Sequence, residues 1–251
     1  MLSMLHVLAF AGVAAVGAVV GWRLTGVRAR FTGASLPAPR DGLPFASATA
    51  AAFLAVAVFV AMRSTVPGVQ AGLSGSGISG ATVVAGVLTA VAYLYFAAVS
   101  VLLAEIDAAT HRLPNAIVLP AYPVLATLLA AACLVGGSWV PFGRAAAGGG
   151  ILFVFFWLVR AVGRGAGRGD GRGALGGGDV KLAGVIGMVL GFTGWSALAV
   201  GTLAAFVFGG VAAAVLLVRG RATRQTAIAF GPFLLAGAWA GVLGAGGSAL
   251  G

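Results

Sequence analysis

Residues 81–105 read ATVVAGVLTAVAYLYFAAVSVLLAE, and the first charge in the run is Glu105. A helix needs roughly 20 mostly apolar residues to cross the hydrocarbon core of a bilayer. This stretch meets that length without interruption, so it is read as a transmembrane helix. The rest of the chain agrees with it. Of 251 residues, 61% are hydrophobic and only 8% are charged, where a soluble domain carries about 25% charged residues. One small domain cannot hide that much apolar surface from water, so the bilayer is the solvent. The 42 glycines fit the same reading, because small residues let lipid-embedded helices approach closely.

Outward from that run, seven further segments qualify or come close. They are approximately 3–22, 45–62, 116–135, 145–162, 180–194, 196–218 and 228–247. The sixth span in order, 180–194, is short and Gly-rich. Its separation from the next rests on an interfacial turn at Phe192–Trp195. The N-terminal run has His6 but no Lys or Arg ahead of it. It is read as the first span rather than a cleavable signal. The expected fold is all-α: one integral membrane domain over 1–251, a bundle of about eight transmembrane helices.

Charge gives the orientation. With the N-terminus outside, the inner loops receive Arg23, Arg28, Arg30 and Arg40, then Arg112. They also receive Arg160, Arg164, Arg168, Arg172 and Lys181, and finally Arg219, Arg221 and Arg224. Thirteen of the 15 basic residues then lie inside, leaving Arg63 and Arg144 outside. That is the asymmetry of the positive-inside rule, and it places both termini outside. It also accounts for the net charge of +10. The basic residues fall between apolar runs with no interleaved aromatic platform, so no nucleic-acid partner is expected. The single cysteine, Cys133, lies in an apolar run, and neither a disulfide nor a Cys-rich metal site is expected. The inner stretch 163–178 is too rich in glycine for a stable helix and reads as a basic loop running into Asp179.

The five acids are Asp41, Glu105, Asp107, Asp170 and Asp179. Asp41 and Asp170 fall in inner loops, where water solvates them. Asp107 falls at the inner end of the third span and Asp179 at the inner start of the sixth. An acid near a membrane span is costly and is usually there for a function. Two carboxylates brought together share a proton. One can then take a proton from water while its protonated partner polarises a peptide carbonyl. Read individually, Asp179 stands where a helix N-cap is favoured and Asp107 is an interfacial acid. Topology puts both on one face but does not show catalysis.

Three sequence elements sharpen this reading. They are Asp107-Ala-Ala-Thr-His-Arg-Leu-Pro-Asn115, Gly176-Gly-Gly-Asp-Val-Lys-Leu182 and Phe230-Gly-Pro-Phe233. In that order, on spans three, six and eight, they resemble the type IV prepilin peptidase family, over roughly 81–247. These are membrane aspartyl proteases that remove the leader of prepilins and pseudopilins. The resemblance implies that Asp107 and Asp179 are the catalytic acids and that the substrate is a prepilin-like protein. It implies a bacterial plasma membrane, a site facing the cytoplasm, and no cofactor. Gly176 and Gly178 would allow close approach or unusual dihedrals before the acid. Longer family members carry Cys-x-x-Cys pairs in the first inner loop and methylate the processed pilin. Residues 23–44 contain no cysteine, so no zinc site is expected there and methylation is not carried over.

Lys181, two positions after Asp179, points away from it on a helix and is expected to meet lipid headgroups. Glu105 similarly diverges from Asp107, and His111 and Arg112 are expected to face solvent. Pro114 ends the loop, Asn115 is a candidate cap of the fourth helix, and Pro232 is expected to bend the last span. Pro114, Asn115, Lys181 and Pro232 are also candidates for shaping the site. A proton- or cation-coupled transporter is the alternative, since paired acids and broken Gly-rich helices serve coupling too. A non-catalytic component of a pilus or secretion assembly is a third reading.

Overall fold

The computed structural model describes residues 4–32, 80–165, 175–219 and 229–247. Among the described residues the chain forms seven α-helices. They are α1 (Met4–Thr32), α2 (Gly80–Thr110), α3 (Asn115–Gly136), α4 (Val140–Gly165), α5 (Gly177–Thr193), α6 (Trp195–Val218) and α7 (Gly231–Gly247). The expected span 45–62, the outer loop after it, Asp41, Asp170 and most of the Gly-rich stretch lie outside the described residues. Helix is the form the composition demands, because it satisfies every main-chain group within its own segment when water is absent. Four of the helices, Gly80–Thr110, Asn115–Gly136, Val140–Gly163 and Trp195–Val218, are long and apolar enough to cross a membrane. Gly231–Ala245 is a shorter apolar helix. The chain is a polytopic helical membrane protein.

Several helix limits differ from the hydropathy reading. The first span was placed at 3–22, yet α1 continues to Thr32, so Arg28 and Arg30 are helical rather than loop residues. Arg is a good helix former, and Arg28 finds Glu105 at 3.5 Å. Helix α4 starts at Val140 rather than 145. Helix α5 starts at Gly177 rather than 180, so its first two residues are glycines with low intrinsic propensity. Tertiary packing outweighs propensity there. The turn at 192–195 is confirmed. Gly194 alone divides α5 from α6, at φ 156° and ψ 166°, a conformation open essentially to glycine.

The described residues fall into two compact units. The first contains the described residues of 4–32, 80–106, 123–138 and 246–247. Phe96, Leu103, Leu125, Leu129 and Cys133 are buried. The Ser100 hydroxyl, also buried, donates to Phe96 O at 2.7 Å, the usual way for a helical hydroxyl to avoid an unmet bond in an apolar interior.

The second unit contains the described residues of 107–122, 139–165, 175–219 and 229–245. Its centre is α5, in which 12 of 17 residues are buried. Helix α4 lies along α5 at main-chain distance. A Cβ on Gly148 would reach Gly191 Cα at 3.1 Å, and one on Gly187 would reach Gly149 Cα at 2.9 Å. Gly187 and Gly191 form the small-xxx-small pattern by which membrane helices exchange side-chain volume for backbone contact. Helix α7 meets α6 the same way, and a Cβ on Gly237 would stand 2.5 Å from Ala205 N. Outer faces of α4 and α6 remain apolar and exposed, including Trp157, Val162, Leu203 and Val211. Such surfaces suit lipid. At the far end of α5, Arg144 Nη2 donates to Phe192 O at 3.4 Å, closing an end that a cation favours.

Candidate active site

Asp107 and Asp179 both belong to the second unit. Both are buried, at 4% and 9% exposure, and among the described residues no other charged side chain is. They lie 72 positions apart in sequence, yet they are close enough in space for their charges to interact directly.

Each acid faces the start of a helix, Asp179 that of its own and Asp107 that of α7. Gly176 precedes α5 and no side chain caps it. Asp179 is the third helical residue, and its carboxylate reaches back to accept the Gly176 N–H. It is therefore not the N-cap that the sequence suggested. It fills the reciprocal position that a carboxylate takes in a capping box. Gly176 has φ −60° and ψ 146°, an ordinary extended conformation rather than an unusual one. What glycine supplies there is room, since a Cβ would lie 3.1 Å from Asp179 Oδ2.

Asp107 is matched by the start of α7. The Gly231 N–H donates to Asp107 Oδ2 at 3.0 Å. Phe233 and Leu234 both donate to Phe230 O at 3.1 Å, so Phe230 caps the helix and Gly231 opens it. Gly231 N–H is one of the main-chain donors that a helix start leaves free. Pro232 thus occupies the first turn, where a missing N–H costs nothing. The expected bend of a span at Pro232 is corrected accordingly. Phe230 is held by an aromatic cluster: Phe156 and Phe206 stack at 5.7 Å, and Phe206 and Phe230 also lie 5.7 Å apart. Of the Phe230–Phe233 element, Pro232 is the residue expected from sequence to shape the site. The residue that touches the acid is Gly231. A side chain there would collide with the carboxylate, its Cβ 2.6 Å from Oδ2.

The positive ends of two helices, α5 and α7, are thus directed at two carboxylates. Each end carries about half a unit of positive charge, which favours negative charge at the site. Mutual repulsion opposes two such charges at once.

The element 111–115 joins the two acids. Helix α2 ends at Thr110 and is closed by His111, whose N–H donates to Asp107 O at 2.8 Å. His111 has φ 51°, the left-handed conformation that commonly closes a helix. His111 and Arg112 are exposed, as expected. Leu113 then packs on Gly178, where a Cβ would come within 2.7 Å of Leu113 Cβ. Pro114 O accepts the N–H groups of Ile117 and Val118 at 3.1 and 3.2 Å and starts α3. Asn115 is the first residue of α3 rather than its cap, and its Oδ1 accepts Lys181 Nζ at 2.9 Å. Lys181 accordingly holds a protein partner, not only headgroups. Tyr122, about two turns further into α3, donates to Lys181 O at 2.6 Å. Its ring fills the space where Gly184 has no side chain.

One residue beside the site has no motif to announce it. Arg160, near the end of α4, lays its guanidinium against Gly177 and interacts electrostatically with Asp179. In sequence it is one of several basic residues that fall at the ends of apolar runs. Among the described residues no group of three or more His, Cys, Asp or Glu side chains could hold a metal ion.

A model of the type IV leader peptidase family matches residues 94–218. The match includes Asp107, the Leu113–Asn115 element, Arg160 and Asp179, and stops short of Gly231. No curated protein and no solved structure matches the chain.

Proposed function

We propose that this chain, which belongs to the type IV leader peptidase family over residues 94–218, uses Asp107 and Asp179 as a water-activating pair. Family membership makes it a leader-peptidase-like protease, and the aspartic mechanism is our reading of its site. One observation carries that reading. Two buried acids far apart in sequence lie within charge–charge range in one compact unit, and each accepts a main-chain N–H at a helix start.

Such a pair works singly ionised. The ionised carboxylate takes a proton from water, and the protonated one donates to the scissile carbonyl oxygen. Hydroxide adds to the carbonyl carbon without an acyl-enzyme. The proton then passes to the leaving nitrogen as the tetrahedral adduct collapses. The donors at Gly176 and Gly231 fix carboxylate orientation and favour the one negative charge. Apparent titrations belong to the pair rather than to either Asp.

The substrate in this reading is a prepilin or pseudopilin with a basic leader followed by an apolar helix. It would be cut at the cytoplasmic face of a bacterial plasma membrane. The support is the family match together with the inward basic bias of the loops. Recognition of a basic leader must come from the few acids, from main-chain carbonyls or from lipid headgroups, because the inner loops are themselves basic. The test is co-expression with a prepilin, following leader loss by gel shift and N-terminal sequencing. Wild type is expected to cleave, while Asp107→Asn and Asp179→Asn, accumulated to equal levels in the membrane, are expected not to. Cleavage by either variant refutes the dyad.

A further inference from the structure

We propose that Arg160 is a positioning residue of the dyad, the cation that holds the pair's single negative charge on the Asp179 side. The proposal rests on the aspartic reading above and adds a residue that no motif marks.

The geometry is specific. Arg160 projects from the C-terminal part of α4 across the first turn of α5. Its Nη1, Cζ and Nη2 surround the point where a Gly177 side chain would begin, with Nη2 3.2 Å and Cζ 3.0 Å from it. Only glycine at 177 leaves that path open. A guanidinium at a helix N-terminus is opposed by the positive end of the dipole, so its position needs an offsetting anion. Asp179, two residues further on, supplies it. An arginine with a purely topological role would extend to water and headgroups instead.

The other groups around Asp179 do not substitute for Arg160. From α2 comes Asp107, which repels it. His111 acts on Asp107. From α3 come the neutral Asn115 and Tyr122, which engage Lys181, so the lysine on α5 is turned to α3. Helices α6 and α7 contain no charged residue. Arg160 is the cation that faces Asp179 from a packed helix among the described residues.

The sign of the effect follows. A cation favours each ionised form of the pair. Without it, the active singly ionised state takes up a proton at higher pH, and loses its remaining proton at higher pH too. Both limbs of the pH–rate curve therefore move upward, by about one unit, the low end of the range for a carboxylate beside Arg.

The experiment uses full-length protein in proteoliposomes with a prepilin substrate, and records initial rates from pH 5 to 9. Wild type is compared with Arg160→Gln, Arg160→Lys and Gly177→Ala. Arg160→Gln is expected to shift the curve upward by about one unit, and Arg160→Lys to keep it near wild type. Gly177→Ala keeps the arginine but displaces it, since the obstructing atoms are the end of a flexible side chain. It is expected to shift the curve as Arg160→Gln does. A curve that is lowered but unshifted in Arg160→Gln overturns the proposal and leaves the peptidase reading intact. Cleavage by Asp107→Asn or Asp179→Asn instead sinks the dyad reading on which the proposal rests. If Arg160→Gln is inactive throughout, its carboxyls are titrated with a hydrophobic carbodiimide, which modifies protonated buried acids. Labelling of Asp107 and Asp179 should persist to higher pH than in wild type, and an unmoved labelling curve overturns the proposal.

Discussion

Replacing Gly231 by alanine adds one methyl group beside Asp107. That carbon would stand 2.6 Å from Oδ2 and 3.1 Å from Cγ, where ordinary contact begins at 3.4 Å. Main chain and carboxylate must therefore part by about 0.8 Å. Neither has an easy path. Asp107 is buried, and the main chain just before Gly231 is tied to Phe230, which lies 5.7 Å from Phe206 and 6.3 Å from Phe156. The Gly231 N–H to Oδ2 bond, now 3.0 Å, would stretch beyond hydrogen-bond range. A bond to a charged acceptor contributes roughly 1.5–3 kcal/mol. Each 1.36 kcal/mol of barrier is tenfold in rate. Gly231→Ala is therefore expected to cut kcat by roughly 10- to 100-fold. KM should change little, because the affected group acts on the dyad rather than on substrate. The assay is initial-rate cleavage of a prepilin in proteoliposomes. Gly210→Ala is the control, since nothing lies within 4 Å of a Cβ there. Wild-type kcat in Gly231→Ala would refute the claim that this contact sets the acid.

Three further outcomes follow from the packing. Asn115→Ala and Lys181→Met should each lower thermal stability by about 0.5–1 kcal/mol, and the double variant by no more than the larger single effect; full additivity in a melting series in detergent would show that the bond carries no coupling. Gly187→Val should prevent accumulation in the membrane by forcing α4 from α5, whereas Gly150→Ala, in open space, should accumulate normally; immunoblots of membrane fractions distinguish these. His111→Gly relieves a left-handed conformation that costs an L-residue about 1 kcal/mol, so its apparent melting temperature should rise, and a fall would show that the imidazole contributes more than the backbone strain removes.

Much of the fold was legible because the bilayer imposes a one-dimensional constraint. Apolar length identifies α2, α3, α4 and α6, and a single glycine identifies the break between α5 and α6. Helix ends were less legible. Hydropathy reports where lipid stops, and α1 simply continues through Arg28 to Thr32. The start of α5 was misplaced because three glycines signal loop, while here they let Leu113, Arg160 and the Asp179 carboxylate pack at main-chain distance.

The sequence by itself pointed to a helical membrane protein similar to the type IV leader peptidase family over residues 94–218, and it singled out Asp107 and Asp179 as candidate acids. Scarcity made this possible, because five acids in 251 residues leave few candidates. Only the tertiary structure decided how those acids are held. Gly231 is 124 positions from Asp107, and Arg160 looks like any other basic residue at the end of an apolar run until α4 lies along α5. Local rules of periodicity and charge reach a few turns along the chain. Which helix start faces which carboxylate depends on contacts between distant segments, and those exist only once the helices have packed.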